Sequence, residues 1–333
     1  MKTQPNDPEL KNTDGQRHIS MKRKVNLKEL SILIAFALIV TVLAFASEHF
    51  FTISNLTNIL LQSSHIMLMA IGLTFVIISG NVDLSIGSIQ ALSAAIVSVT
   101  LVNLNLPLPI AILFALISGL VCGIANGIFV ARFRFPPFIA TLGMQGVARG
   151  VGLIITGGVA IIGFPRTFAF IGRGQVAGTV PFPVVLFFII MIIAHIVLKH
   201  TKFGVNVYAV GSNEQAARLS GVNVQGVKIA VFAMSGVLSA MAGIVMTSRL
   251  NAGLATIGEF DVLDTLAAVV IGGTSMRGGV GSIRGAFIGV IMISVIRNGL
   301  NLLGIDAYVQ QVAIGLLILT AILIDQFSKG ELK

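Results

Sequence analysis

Apolar residues fall into ten long segments, which are separated by short polar or glycine-rich stretches. A helix that crosses the hydrocarbon core of a bilayer needs about 20 consecutive, mostly apolar residues. The second, third and eighth segments are the least regular, because polar and glycine-rich residues interrupt them. The pattern predicts an all-α polytopic membrane protein with about ten transmembrane helices, some of them discontinuous. The predicted segments are residues 30–47, 64–80, 86–103, 108–130, 138–156, 181–198, 229–248, 262–276, 284–302 and 308–325.

The composition agrees with this prediction. Hydrophobic residues make up 55% of the chain and charged residues 11%, and the mean hydropathy is +0.96. Soluble domains carry about 25% charged residues, so this chain lacks the charge that a water-facing surface usually has. The loops between the segments are short. We therefore predict one membrane domain and no soluble catalytic domain.

The basic residues predict the orientation of the segments, because cytoplasmic loops of membrane proteins are enriched in Lys and Arg. With the N-terminus in the cytoplasm, 17 of the 22 basic residues lie on the cytoplasmic side. A shift by one span would move most of the basic loops outside. We therefore predict an even number of spans with both the N- and C-termini cytoplasmic. The net charge of +9 does not indicate nucleic-acid binding, because the basic residues flank apolar segments.

Three parts follow from this pattern. Residues 1–29 are polar and predict a disordered cytoplasmic tail, residues 30–326 form the membrane domain, and residues 327–333 form a short cytoplasmic tail. The first apolar segment ends in Ala44-Phe45-Ala46, which is similar to a signal-peptide cleavage site. Because the leader before it is about 29 residues long, we predict an uncleaved first helix.

Residues 79–88 bring an ionisable side chain between two apolar segments with almost no linker. Gly80 and Gly87 permit a helix break, which is tolerated at membrane depth where it is buried or lines a cavity. Asp83 would then border a polar pathway, because an intramembrane carboxylate is costly unless it faces protein or water. The alternative is a tight cytoplasmic turn in which Asp83 caps the next helix. These residues alone leave both interpretations open.

The longest internal loop after the N-terminal tail, residues 199–228, contains a short helical motif. Asn213 or the residue before it can cap a helix that starts at Glu214, and Gly221 can end that helix in a left-handed conformation. Such a helix is suited to docking into a groove of a partner protein. The alternative is a helix on the lipid surface. Docking is favoured, because Glu214 and Arg218 form an i,i+4 pair that leaves little positive charge for lipid attraction.

Residues 271–285 contain many glycines, but they do not form a phosphate-binding loop. The pattern GxxxxGK[ST] is absent and no lysine lies in this segment. We interpret it as a helix break with close helix packing. The predicted helix-break glycines, here and in residues 79–88, are Gly80, Gly87, Gly273, Gly278, Gly279 and Gly281.

Polar residues inside the apolar segments are candidates for function or for anchoring. Arg149 lies within the fifth predicted span, where it either lines a polar path or extends its side chain to the interface. Arg297 and His65 lie nearer predicted span ends, so Arg297 is expected to anchor or pair locally and His65 to be interfacial. Cys122, the one cysteine, is expected to be a packing residue. No clustered catalytic set stands out, so we predict no enzymatic activity, no metal site and no cofactor.

Three segments resemble the permease subunit of bacterial ATP-binding-cassette sugar importers of the ribose type. Residues 80–88 are similar to the family's GGIDLSVGS, residues 211–222 to its GGNEAATRLSGI, and residues 269–283 to its VVLGGTSLAGGKGRI. Residues 298–305 extend the match, and the resemblance covers about residues 51–325. The combination is specific for the family and weakly specific for one sugar.

The chain departs from the family pattern at three positions. Asn81 and Ser212 stand where the family often has glycine, and asparagine at residue 81 permits a sharp backbone break less readily than glycine would. Arg277 stands where the family often has a small residue, and it adds a positive charge.

The resemblance implies import of ribose or a related sugar (xylose, galactose, allose or a furanose-like signal molecule) across the bacterial inner membrane. It implies three protein partners, namely a separate ATPase subunit, an extracytoplasmic sugar-binding protein and a second permease subunit in a homodimer. Candidates for the substrate pathway are Asn81, Asp83, Ser85 and Arg149. The loop that couples to the ATPase would contain Gly211, Asn213, Glu214, Ala216, Ala217, Arg218, Ser220 and Gly221.

An ion-coupled secondary transporter of a small polar solute is the alternative function. It would need intramembrane acidic residues for proton or sodium coupling. Most of the candidates lie near predicted span ends, which argues against this alternative. These candidates are Asp83, Glu259, Asp261, Asp264 and Asp306.

Overall fold

The computed structural model describes residues 36–37, 40–45 and 47–328. Short helical stretches at 36–37 and 40–45 precede the first helix that is described in full. The helices are α1 Ile53–Ile78, α2 Ile86–Ser98, α3 Leu108–Ala131, α4 Pro137–Thr156, α5 Arg166–Arg173, α6 Phe182–His200, α7 Lys202–Ser212, α8 Glu214–Leu219, α9 Val224–Leu250, α10 Asp261–Ile271, α11 Ile283–Leu302 and α12 Ala307–Ser328.

Short irregular elements complete the described part of the chain. A π-helical turn, Val99–Asn103, extends α2. The strands β1 Ile161–Ile162 and β4 Ala252–Gly253 pair antiparallel, as do β2 Gln175–Val176 and β3 Val180–Pro181. These two-residue pairs lie in the connections between helices, so the fold is all-α, as the sequence predicted.

Seven of the described helices are long and apolar enough to cross a membrane, which confirms a polytopic membrane protein. The predicted number of ten is not confirmed. Much of the first predicted segment lies outside the described residues. α10 has 11 residues, which reach about 16 Å and cannot cross a hydrocarbon core of about 30 Å. The seven helices are Ile53–Ile78, Ile86–Asn103, Leu108–Ala131, Pro137–Thr156, Phe182–His200, Val224–Leu250 and Ile283–Leu302.

α1 begins at Ile53, whereas the sequence pattern placed its start at residue 64. The Thr52 side chain caps the helix by accepting from the Asn55 backbone amide at 3.2 Å. Polar residues in the first turns hid this part of the helix from a hydropathy pattern. One of them is buried by tertiary contact, because the Asn55 and Asn298 amides hydrogen-bond to each other at 2.8 and 2.9 Å. α1 therefore packs its first turns against α11.

α2 lies in the centre of the helix bundle. It packs against α3, α4 and α9, and most of its side chains are buried. α3 and α9 run antiparallel beside it, and their backbones meet at Gly119 and Gly236, where an added Cβ on Gly119 would lie 2.3 Å from the Gly236 carbonyl oxygen. Small residues permit such close approach of membrane helices.

Two irregular segments enter the bundle from opposite ends. Residues 79–85 leave α1 at the end of the bundle that carries α8, and α2 starts after them. Residues 251–260 leave α9 at the opposite end, and α10 starts after them. The second segment meets the first turn of α2, where Gly87 faces Gly258, since an added Cβ on either glycine would lie within 2.4 Å of the other's carbonyl oxygen.

Candidate functional site

Asp83 is fully buried and connects three elements. Its Oδ1 accepts hydrogen bonds from the Ser85 amide at 3.0 Å and the Ser85 hydroxyl at 2.6 Å. Its Oδ2 accepts from the Ser235 hydroxyl on α9 at 2.9 Å. The Ser85 oxygen in turn accepts from the Asn126 amide on α3 at 2.9 Å. Asp83 thereby holds the start of α2 against α3 and α9.

Asn81 and Ser85 are the other two residues of this segment that were predicted to lie on the pathway. Asn81 is buried, and its side-chain amide donates to the Ser79 carbonyl at 3.0 Å and the Ser79 hydroxyl at 2.9 Å. Ser85 precedes the first residue of α2, but its own side chain makes no capping bond to that helix. The bond from the Ser85 amide to Asp83 is a local turn that leads into α2. Both the pathway role and the capping role of Asp83 stay predictions.

The three glycine-rich segments that are far apart in sequence meet at one point, which we call the glycine junction (Gly80, Gly211, Gly278 and Gly279). The Gly279 amide donates to the Ile78 carbonyl at 2.8 Å. An added Cβ on Gly211 would lie 1.7 Å from that same carbonyl oxygen and 2.7 Å from the Gly279 nitrogen. The junction therefore joins the end of α1, the end of α7 and the loop before α11 through direct backbone contact.

The predicted helix-break glycines differ in conformation. Gly80 has φ of +79°, which an L side chain rarely adopts, and it reverses the chain after α1. Positive φ also occurs at Gly273, Gly278 and Gly279. Gly87 instead lies inside the first turn of α2, where it packs on Gly258. Gly281 packs against Thr274 and Ile78, and its carbonyl accepts from the Tyr208 hydroxyl at 2.7 Å.

α8 forms at the predicted place and with the predicted ends. The Asn213 side chain accepts from the Ala216 amide at 2.9 Å, which is an N-cap bond. At the other end the Val222 amide donates to the Ala217 carbonyl and the Gly221 amide to the Arg218 carbonyl, with Gly221 at φ +82°. This is the Schellman pattern of helix termination.

Ion pairs attach α8 to α9. Glu214 accepts from Lys228 at 2.7 Å and from Arg218 at 3.1 Å. The hydrogen bond from the Lys228 ammonium lowers the pKa of Glu214 below its ordinary value of 4.5. Because the folded pKa is depressed, the stabilisation is present above pH 4.5 and is lost only as the pH falls through the lowered pKa. The attachment of α8 is therefore intact at neutral pH.

Leu219 is the residue of α8 that the sequence analysis missed. Its side chain is 91% exposed, whereas Ala217 is buried against the bundle core. A single exposed leucine does not by itself mark a docking surface, but its place on the predicted docking helix makes Leu219 a candidate contact. Sequence alone gave no signal, because one leucine in six helical residues fits either face.

Arg149 holds the irregular segment that precedes α10. Its Nη1 donates to the carbonyls of Ala255 and Ile257, both at 2.7 Å. The side chain is only partly buried, and Glu259 and Asp261 both lie within electrostatic reach of its charge. The two roles predicted for Arg149 were lining a polar path and extending its side chain to the interface. Extension to the interface explains neither of these two hydrogen bonds. The pathway role stays a prediction.

Buried polar pairs surround the start of α10. His65 lies 3.4 Å from Asp261, and the Gln90 amide donates to the same carboxylate at 3.0 Å. Arg297 of α11 pairs with Asp264 at 2.5 Å. The prediction that His65 is interfacial is wrong, because α1 starts earlier than predicted and His65 is near its midpoint. Arg297 forms a pair, as predicted, and this pair links α11 to α10.

The family of this membrane protein follows from its similarity to known proteins. A family model described as "Branched-chain amino acid transport system / permease component" matches residues 55–322. The chain belongs to this family. As a permease component it is a multi-pass protein of the bacterial inner membrane that carries out transport rather than enzymatic catalysis, which confirms the sequence-based identification.

Curated relatives resemble this permease over nearly its whole length. A ribose import permease protein of Haemophilus influenzae is 41% identical and covers 88% of this chain and 92% of its own. The ribose import permease protein of Escherichia coli K12 is 40% identical and covers 93% and 97%. A xylose transport system permease protein of Haemophilus influenzae is 33% identical and covers 93% and 99%. No solved structure matches the permease. These relatives favour an ATP-binding-cassette importer of sugar over an ion-coupled secondary transporter.

Proposed function

We propose that this permease imports ribose or a closely related monosaccharide. The proposal rests on the difference in sequence identity between two groups of relatives. Those named ribose import permeases are 40–41% identical to this chain, whereas those named xylose permeases are 32–33% identical. The chain spans nearly the full length of both groups, so the comparison is between whole subunits.

The partners follow from the same relationship. A separate ATPase subunit hydrolyses ATP, an extracytoplasmic binding protein delivers the sugar, and two copies of the permease form the membrane dimer. The permease domain comprises residues 30–326, between a cytoplasmic tail of residues 1–29 and a short tail of residues 327–333.

The proposed topology has ten spans with both termini in the cytoplasm, which places α8 on the cytoplasmic side. In this topology two spans are discontinuous. One consists of residues 79–85 followed by α2, and the other consists of residues 251–260 followed by α10. This accounts for the predicted segments that had the least regular hydropathy, because irregular backbone at membrane depth brings polar residues with it.

Uptake into proteoliposomes tests the proposed function. The permease is co-purified with its ATPase subunit and supplied with its binding protein and labelled ribose. We expect uptake that requires ATP and the binding protein, and that unlabelled ribose suppresses better than unlabelled xylose. Uptake that persists without the ATPase and follows an ion gradient would contradict the proposal.

The coupling loop, residues 199–228, docks α8 on the ATPase in this proposal. Glu214 pairs with Lys228 of α9, which attaches α8 to the permease, and with Arg218 in the same helix. Leu219 is exposed and lies at the end of the same helix. It is the side chain that would enter an apolar pocket of the ATPase.

We expect Leu219→Asp to lower ATP-driven uptake by about tenfold or more, because loss of a buried apolar side chain at an interface centre costs about 2 kcal/mol or more. The permease itself should melt at an unchanged temperature, since the side chain contacts little within the chain. Co-purification of the ATPase and its stimulation by the binding protein are the measurements.

Leu219→Met is the matched control, because methionine keeps the apolar volume. It should retain most of the uptake. Equal uptake by Leu219→Asp and Leu219→Met would mean that this side chain does not enter the ATPase.

A further inference from the structure

Glu259 lies at membrane depth on irregular backbone. Its neighbour Asp261 contacts His65, and His65 is near the midpoint of the 26-residue helix α1. At 1.5 Å per residue, His65 is roughly 20 Å from either end of that helix. Glu259 is two residues from Asp261, so it lies within about 7 Å of the same depth. The sequence analysis placed this residue near a span end and gave it no role in the importer.

Glu259 is exposed on the surface of the chain, as are its neighbours Thr256 and Phe260. This contrasts with Asp83 and Asp264, whose carboxylates are buried in hydrogen bonds or ion pairs. Glu259 lies within electrostatic reach of Arg149, whose guanidinium is also only partly buried. One face of the permease therefore presents a carboxylate and a guanidinium close together at membrane depth.

Lipid cannot cover this face at low cost. A charged side chain near the bilayer centre costs about 2.5–3.5 kcal/mol even on the most permissive scale, so such groups face water or protein. The adjoining face of α4 is open at Gly146 and Gly150, where an added Cβ would meet no atom within 4 Å. On the side of α4 that points away from Arg149, Val151 is 41% exposed and has the apolar side chain that lipid favours.

We propose that Glu259 and Arg149, with the open face at Gly146 and Gly150, line the water-filled path of the sugar, and that Glu259 accepts hydrogen bonds from the hydroxyls of the sugar. That the ligand is a sugar rests on the proposed import function. That this face is in contact with water rests only on its depth in the membrane and on its exposure. A neutral monosaccharide presents hydroxyl donors and acceptors. A carboxylate and a guanidinium supply the complementary acceptors and donors, and bonds to charged groups are the stronger ones.

Thiol labelling tests whether the face is wet. Cys122 is the only cysteine and is buried, so Cys122→Ala provides a background without thiols. In that background, Glu259→Cys and Gly146→Cys are treated with a membrane-impermeant cationic thiosulfonate in the assembled importer. We expect both to react, because only a thiol in contact with water forms the reactive thiolate. Val151→Cys, which is exposed at a similar depth on the apolar side of α4, should not react.

Transport variants test the role of the carboxylate. Glu259→Ala should lower sugar uptake about tenfold, as expected for losing a hydrogen bond to a charged group, in a permease that still assembles with its ATPase subunit. Glu259→Gln should lower it less, because an amide oxygen still accepts. Glu48→Gln is the control, since Glu48 is an exposed carboxylate in the connection before α1.

Two results would overturn the proposal. One is a Glu259→Cys variant that reacts no faster than Val151→Cys, or that instead forms a disulfide between two copies of the chain without reacting. The other is normal uptake by Glu259→Ala. If the parent permease does not transport ribose but Glu259→Cys is labelled, the path stands and the proposed sugar fails.

Discussion

Gly211→Ala should lower sugar uptake by about tenfold, because overpacking a tight contact costs about 1–3 kcal/mol and 1.4 kcal/mol corresponds to a factor of ten. An added Cβ at this position would lie 1.7 Å from the Ile78 carbonyl oxygen and 2.7 Å from the Gly279 nitrogen. Both neighbours are backbone atoms that hydrogen-bond to each other at 2.8 Å. The methyl group can be accommodated only if the glycine junction opens.

The junction lies between α8 and the buried network of Asp83. Gly211 belongs to the last turn of α7, which leads directly to the Asn213 cap of α8. Gly80, which starts the segment containing Asp83, faces Gly211 on the other side of the contact. Opening the junction would therefore separate the proposed ATPase-docking helix from the proposed pathway, and stimulated ATP hydrolysis should fall together with uptake.

Gly315→Ala is the matched control, because Gly315 lies on α12 and an added Cβ there meets no atom within 4 Å. This substitution should leave uptake unchanged and raise the melting temperature slightly, since alanine has the higher helix propensity. Uptake and melting temperature in detergent are the measurements. A Gly211→Ala permease that behaves like Gly315→Ala would mean that the glycine junction does not have the tight geometry described.

The elements that could be predicted from the sequence are those whose ends carry a local signal. Prolines flank Leu108, the first residue of α3, and α4 begins at Pro137. α8 has both an N-cap and a left-handed glycine, and each of these three helices was placed within a residue or two. The start of α1 could not be predicted in this way. Asn55 makes the first turn polar, and what buries it is Asn298, which is 243 residues away.

Long-range contacts also decide the candidate site. The sequence predicted breaks at Gly87 and in the glycines of residues 271–285, but not that Gly80, Gly211 and Gly278 would meet. Residues 251–260 were not singled out, because their role depends on Gly87 facing Gly258 across the bundle. Hydropathy reports how apolar a segment is along the chain. It does not report which side of a segment is exposed, so Leu219 became a candidate for docking, and Glu259 a candidate for the sugar path, only from the fold.

Asp83→Ala should destabilise the permease by about 2–4 kcal/mol and abolish most uptake, because it leaves buried donors without an acceptor. The donors are the Ser85 amide and the hydroxyls of Ser85 and Ser235. Their loss would release the start of α2 from α9. Since α2 is the central helix of the bundle, the melting temperature and the uptake rate should fall together.

Asp83→Asn and Ser235→Ala separate a positioning role from direct contact with the sugar. Asn keeps the size of the side chain and one acceptor oxygen, so it should retain more stability than Ala. If Asp83 acts by positioning α2, a double-mutant cycle with Ser235→Ala should show coupling of about 1 kcal/mol or more in stability, and uptake should follow stability across all four proteins. If Asp83 contacts the sugar, Asp83→Asn should lose uptake at nearly parental stability. The burial of both carboxylate oxygens in bonds within the chain favours the first result, and uptake that fails while the melting temperature holds would contradict it.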